Sequence, residues 1–236
     1  MPGGCKGKRG PRSNNRRFME AVFWMARSGS RWKDLPERFG KLSTVKQRYY
    51  DWVDRGVFAE IFQALSGEED MEWLMVDSTI VRAHEHAAGA RRQKGGRMPR
   101  ALGRSRGGLS TKIHACTDGL GDPVRLLAGP GQESDIGPAA ALIHGFRAEC
   151  VLADRGYDAD HFRAAIRQAC AEPVIPFTRS RAAVSRHDKD HYKERNRVER
   201  FFNKLKQFRR VATRYDKRLA NFMGFVTLAA IAILLR

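Results

Sequence analysis

Apolar residues recur at helical spacing over the first quarter of the chain. Phe18, Ala21, Val22 and Met25 share one face, and the Ser28, Gly29, Ser30 break ends that helix. Thr44 followed by Gln47 has the spacing of a capping box and predicts a second helix through Lys46, Gln47, Arg48, Tyr49, Tyr50 and Trp52. Phe58, Ile61, Phe62 and Leu65 mark a third. Three short helices with a basic, aromatic middle member fit a helix-turn-helix-like DNA reader and fit a helical cap on the following domain equally well.

After the acidic Gly67 to Asp70 turn the pattern changes period. Trp73 to Val81 is an apolar run holding one acid, Asp77; Thr111 to Cys116 and Val124 to Leu127 are strands joined by the turn from Asp118 to Asp122. A helix near Pro138 to Phe146, a strand at Cys150 to Ala153, a helix from Asp160 to Cys170 and a strand at Pro173 to Phe177 follow. Antiparallel strands succeeded by alternating helices and strands predict an α/β fold with a mixed sheet. Ala87 to Gly107 is rich in Gly and Arg without apolar period and reads as a mobile basic loop. Phe222 to Leu235 is almost wholly apolar but short for a membrane span, so it predicts a buried terminal helix.

Charge changes the picture. The 236 residues carry a formal charge of +18, far beyond what solubility requires, which points to a polyanionic partner, nucleic acid before membrane. Thirty of the 44 Lys and Arg residues lie in three blocks, 1–17, 82–112 and 179–218. The four cysteines, Cys5, Cys116, Cys150 and Cys170, form no C-x-x-C pair, so neither a zinc site nor a disulfide framework is expected and reduced thiols in a cytosolic protein fit best. MPGGCKGKRG lacks the apolar stretch of a signal peptide.

Within the third block, HYKERNRVERFFNKLKQFRR reads as one helix from 191 to 210. At about 100° per residue, Tyr192, Arg195, Glu199 and Lys206 occupy an arc of about 60°, beside an arc of Glu194, Val198, Phe201, Phe202, Leu205 and Phe208 that is apolar apart from Glu194. Glu199 therefore stands at the edge of the buried face. An Arg195–Glu199 surface pair would explain little, since it contributes at most a few tenths of a kcal/mol. Asp77, in a buried strand, and Asp154, at the carboxyl end of another, need a partner or a metal if ionised, and strand ends are where open α/β sheets bind ligands. Three acids in a basic protein suggest a two-metal phosphodiester site.

These motifs resemble those of the DDE transposases of bacterial insertion sequences, the IS-five family, over nearly the whole chain. Tyr192, Arg195, Glu199 and Lys206 match the family signature in residue and spacing, VDST around Asp77 and ADRGYD around Asp154 resemble its two aspartate motifs, and WKDLPERFG (32–40) resembles its N-terminal helical region. The resemblance implies a basic tail (1–17), a small all-helical DNA-binding domain (18–66) and an RNase H-like catalytic domain (71–236). It implies that Asp77, Asp154 and Glu199 bind two Mg²⁺ ions, with Mn²⁺ able to substitute. Cleavage at the element's end would free a 3′-OH that attacks target DNA. Tyr192, Arg195, Lys206, Arg197, Lys112, Lys46 and Arg48 are then the expected DNA contacts, with a homo-oligomer on paired ends, in the bacterial cytoplasm at the nucleoid. Family members usually begin with a further helix, and this chain is expected to start after it. A DNA-binding repressor derived from such an element, or a stand-alone nuclease of the same fold, would share most of these features.

Other residues carry less. His84, Glu85 and His86 in a strand would put the two histidines on one face, fitting a solvated basic edge better than a metal site. Gly107 to Lys112 lacks P-loop spacing. Lys112 and His114 share a strand face that is either exposed or turned to phosphates. Asp118, Asp122, Asp135 and Asp158 suit turns and caps, with Asp158 also placed to support Asp154.

Overall fold

The computed structural model describes residues 14–67, 70–88, 101–105, 107–178 and 189–236. The basic tail up to residue 13 and most of the basic loop after Ala88 lie outside the described residues.

Three helices open the chain: α1 (Asn15–Ser28), α2 (Leu42–Asp54) and α3 (Val57–Leu65). Helix α1 starts three residues before the apolar period because Asn14 caps it, its side chain accepting from the Arg17 amide at 2.9 Å. Gly29 ends it at φ +68°, and a Cβ there would sit 2.8 Å from that of Arg209, so close approach as well as conformation calls for glycine. Helix α2 corrects the capping-box reading. It begins at Leu42 with no side-chain cap, and Thr44 lies inside its first turn. Burial of Val45, Tyr49 and Trp52, at helical spacing, sets where it runs.

A seven-stranded mixed sheet follows. Its strands are β1 (Asp70–Ala83), β2 (Gly103–Ser105), β3 (Gly108–Asp118), β4 (Pro123–Pro130), β5 (Arg147–Ala153), β6 (Glu172–Val174) and β7 (Thr213–Arg214). Strand β3 is antiparallel to β1, β2 and β4, whereas β5 and β7 run parallel to β1 and β6 runs parallel to β5. Between β1 and β2 lies the short α4 (Glu85–Ala88), so His84 to His86 leave the strand instead of continuing it. Strands β2 and β7 carry too few residues to show a period, and only their partners β3 and β1 define them.

One face of the sheet is covered by α5 (Ala139–Ile143) and α6 (Asp160–Gln168). On the other face, α7 (Lys189–Glu194), α8 (Asn196–Lys206), α9 (Arg209–Ala212) and α10 (Leu219–Leu234) share a core with the first three helices. Helix α10 is the centre of that layer: Phe222, Phe225, Val226, Leu228 and Ala229 are all fully buried. Tyr49 of α2 stacks on Phe225 at 4.5 Å and donates to the Asn221 carbonyl at 2.6 Å, so burial comes without an orphaned hydroxyl. Among the described residues no helix is long and apolar enough to cross a membrane.

The expected single helix over 191–210 is three pieces. At Arg195 the backbone bonds tighten, the Arg195 amide reaching the Tyr192 carbonyl and the Val198 amide that of Arg195, each at 3.2 Å. At Phe208 the backbone becomes extended and the chain turns into α9. Periodicity describes the apolar face of α8 well, yet it carries no information about these two breaks, which tertiary contacts of Arg195 and the buried Phe208 impose.

Candidate active site

Asp77 stands where β1 loses one neighbour. Strand β5 pairs with β1 as far as Val76 opposite Ala153, and β7 rejoins β1 only at Arg82. Along the intervening edge the sheet is split, and the next residues of the two parallel strands, Asp77 and Asp154, meet at its mouth about one strand spacing apart. This is a strand-end crevice of the kind in which open α/β sheets bind ligands.

Each aspartate is oriented by main chain. The Asp77 carboxylate accepts from the Ser78 amide at 2.8 Å, and Asp154 accepts from the Gly156 amide at 2.8 Å in the turn that follows β5. Burial pushes the Asp77 carboxyl above its usual range; the Ser78 amide and Arg195 oppose this, and the Asp154 charge reinforces it. A desolvated carboxylate beside a second negative charge favours a bound cation.

Arg195 supplies one. Its guanidinium donates to Asp77 Oδ2 at 2.9 Å and also to Glu199 Oε1. It thus links the acid on β1 to the acid on α8, with Asp77 and Arg195 side chains each 17% exposed and Glu199 48% exposed. The Arg195 ring neighbour is Tyr192, at 5.9 Å. Lys206 is exposed at the far end of α8, about 10 Å along the axis from Glu199. The i, i+4 pair dismissed as a surface contact is therefore one arm of a bridge, which only the position of Asp77 reveals.

The other expected DNA contacts have different surroundings. Arg48 lies over the Phe18 and Trp52 rings and donates to Asn15. Arg197 binds the Gly119 carbonyl and pairs with Glu194 at 2.7 Å. Lys112 is buried, its ammonium bonded to the Glu133 carbonyl at 2.6 Å and to Asp135 at 2.9 Å. These three cations serve groups within the chain. Lys46 is half-buried on α2 above the Tyr50 ring. Asp158 accepts from Arg163 at 2.9 Å and from the Thr178 amide at 2.7 Å, tying α6 to the chain beyond β6.

Sequence reasoning sets Asp135 aside as a turn residue and places Ser78 and Tyr157 within the two aspartate motifs without giving either a role. On the sheet face opposite Arg195, Asp135 accepts from both Ser78 and Lys112, and the buried Tyr157 hydroxyl lies in the field of Asp135, Asp77 and Asp154. The signal for Ser78 was its adjacency to Asp77; for Asp135 there was none, because it reaches the site from a loop 57 residues away.

Three carboxylates offer oxygen donors suited to a hard divalent ion, and a cationic group already spans two of them. Among the described residues no group of three or more His, Cys, Asp or Glu side chains is arranged to hold a metal. The site as it stands is a carboxylate set closed by an arginine.

A mixed sheet with helices on both faces and acids at its strand ends is the RNase H-like architecture of transposase catalytic domains. Residues 68–235 match the "Transposase DDE domain" family model, and residues 1–62 match a model described as "Putative transposase of IS4/5 family". The chain belongs to the DDE transposase family. Among curated proteins, it is 44% identical over 130 residues to a "Putative transposase for insertion sequence element IS6501" of Brucella ovis, covering 54% of this chain and 100% of that one. It is also 67% identical over 101 residues to "Uncharacterized protein y4sN" of Sinorhizobium fredii, covering 43% and 81%. Of solved structures, the piggyBac transposase synaptic complex with hairpin DNA aligns at a TM-score of 0.50 and 12% identity over 96% of this chain and 66% of that one. At that identity the likeness is one of fold.

Proposed function

We propose that this transposase cleaves DNA at the ends of an insertion sequence and joins the freed 3′-OH to target DNA, using Asp77, Asp154 and Glu199 as ligands for two Mg²⁺ ions. The observation that carries the reading is the Arg195 bridge: a cation already lies between Asp77 and Glu199, and Asp154 stands beside Asp77 at the split in the sheet. Bound metal would activate the attacking oxygen and neutralise the leaving one. The chain's own part is to hold the carboxylates in place and to grip DNA. Arg195 passes from the acids to a phosphate, for which its planar fork is equally suited. Lys206 and Tyr192, farther along the same segment, hold the strand on either side of the cut. Helices α1 to α3 form the unit that reads the terminal repeats, and paired ends bring two or more copies together.

The test compares wild type with Asp154→Asn on DNA carrying the element's inverted repeats, in Mg²⁺ or Mn²⁺. Loss of one anionic ligand should slow cleavage and strand joining by about 10³-fold, equivalent to ~4 kcal/mol, with DNA binding retained. Equal cleavage by both proteins would sink the catalytic assignment. Binding without cleavage by wild type points to a repressor, and cleavage without joining to a nuclease.

A further inference from the structure

On the sheet face away from Arg195, a second polar group underlies the site. Strand alternation turns Ser78, His114 and Lys112 to this face, with His114 opposite Ser78 and Lys112 opposite Ile80 in the β1–β3 register. The loop after β4 lies over them. There Asp135 accepts from the Ser78 hydroxyl and from the Lys112 ammonium, which also donates to the Glu133 carbonyl at 2.6 Å. Lys112 is 8% exposed, so its charge must be met within the chain, and Asp135 meets it.

Ser78 joins this cluster to the site. Its hydroxyl is held by Asp135 on one face while its amide, in the same residue, donates to Asp77 Oδ1 at 2.8 Å. Residue 78 is also the second along the one edge of β1 that lacks a neighbour, where β5 has ended and β7 has not begun, while β3 pairs with the other edge. The ladder to β5 no longer fixes the backbone there, and a side-chain anchor has the more to do. Tyr157, 1% exposed, packs its hydroxyl into the same region.

We infer that Asp135 is a positioning residue: by anchoring Ser78 it fixes the main-chain amide that orients the Asp77 carboxylate for metal. The inference rests on the metal-site reading above. It requires Asp135 to act through Ser78, with no contact of its own to metal or DNA. Groups outside a metal's ligands that orient those ligands typically change affinity by about 10- to 100-fold when removed.

Mn²⁺ alone, titrated into the full chain and followed by the electron paramagnetic resonance of the free ion, tests this without turnover. Asp135→Ala and Ser78→Ala should each weaken Mn²⁺ binding by about tenfold, and the double variant by the same factor. Asp135→Asn keeps an oxygen acceptor for Ser78 and should bind within about twofold of wild type, although it removes the charge beside Lys112. Unchanged affinity in Asp135→Ala, additive losses in the double variant, or an Asn variant as weak as the Ala variant would each overturn the inference. Asp77→Asn separates the two readings. If it abolishes Mn²⁺ binding while Asp135→Ala does not alter it, only the inference falls; if it binds as wild type does, the metal site falls and the inference with it.

Discussion

Arg195, half-buried at the start of α8, and His114, fully buried on β3, show how differently two desolvated polar residues can be treated. Arg195 has a carboxylate at each end of its fork, so its desolvation is offset by two charge-assisted bonds. His114 is fully buried, and neither ring nitrogen has a hydrogen-bond partner, the Glu133 carboxylate standing 3.7 Å off. Burial pulls its pKa below 6.5; Asp135 and Glu133 oppose that, and Lys112 adds to it. A lowered folded-state value means the unfolded chain takes up the proton more readily. The neutral imidazole's contribution to stability is therefore full above about pH 6.5 and is lost as pH falls through the folded-state value. Denaturation at pH 8, 6 and 5 should show this decline, and His114→Gln should flatten it. Asp77, Asp154 and Glu199 were legible as candidates from residue type and position. That Arg195 joins two of them, and that Lys112 is paired with Asp135, depends on neighbours far off in sequence.

At the scale of elements, ends were harder to read than faces. The apolar stripes of α1 and α8 are written in residue spacing, because a helix buries one side at a fixed period, while α10 is apolar all round and is buried accordingly. Their boundaries depend on single residues. Helix α6 ends in a paired closure in which the Ala171 amide bonds the Ile166 carbonyl at 3.1 Å and the Cys170 amide bonds that of Arg167 at 2.9 Å. This places Cys170 at φ +60°, a conformation that suits glycine and strains a residue with a Cβ. Cys170 is exposed, so replacing it forfeits no packing. Cys170→Gly should raise stability by up to about 1 kcal/mol in urea titrations, and the three-piece course of 189–212 should be unaffected.

At the scale of the whole molecule, α10 is the piece on which the N-terminal helices and the sheet layer are assembled. Gly224 sits where it meets α2, and a Cβ there would lie 2.6 Å from Val53 Cγ2 and 2.7 Å from the Tyr49 hydroxyl. Two effects compete in Gly224→Ala. Helix propensity favours alanine by about 1 kcal/mol, while overpacking a filled interface costs ~1–3 kcal/mol. Since Tyr49 is pinned by its bond to Asn221 and its stack on Phe225, it cannot yield cheaply, and the cost wins. The melting temperature should fall by about 2–4 °C, a drop that a calorimetric scan can measure.

Read alone, the chain determined the mixed α/β class, the three opening helices, the buried terminal helix and the basic character, and offered three acids as candidates, because periodicity, charge and residue chemistry are local properties. Tertiary structure decided the rest: the split between β5 and β7 along β1, the edge strands β2 and β7, the breaks at Arg195 and Phe208, and the partners of each cation. Those features come from the packing of segments tens of residues apart, where one side chain is held by contacts that no window of sequence contains.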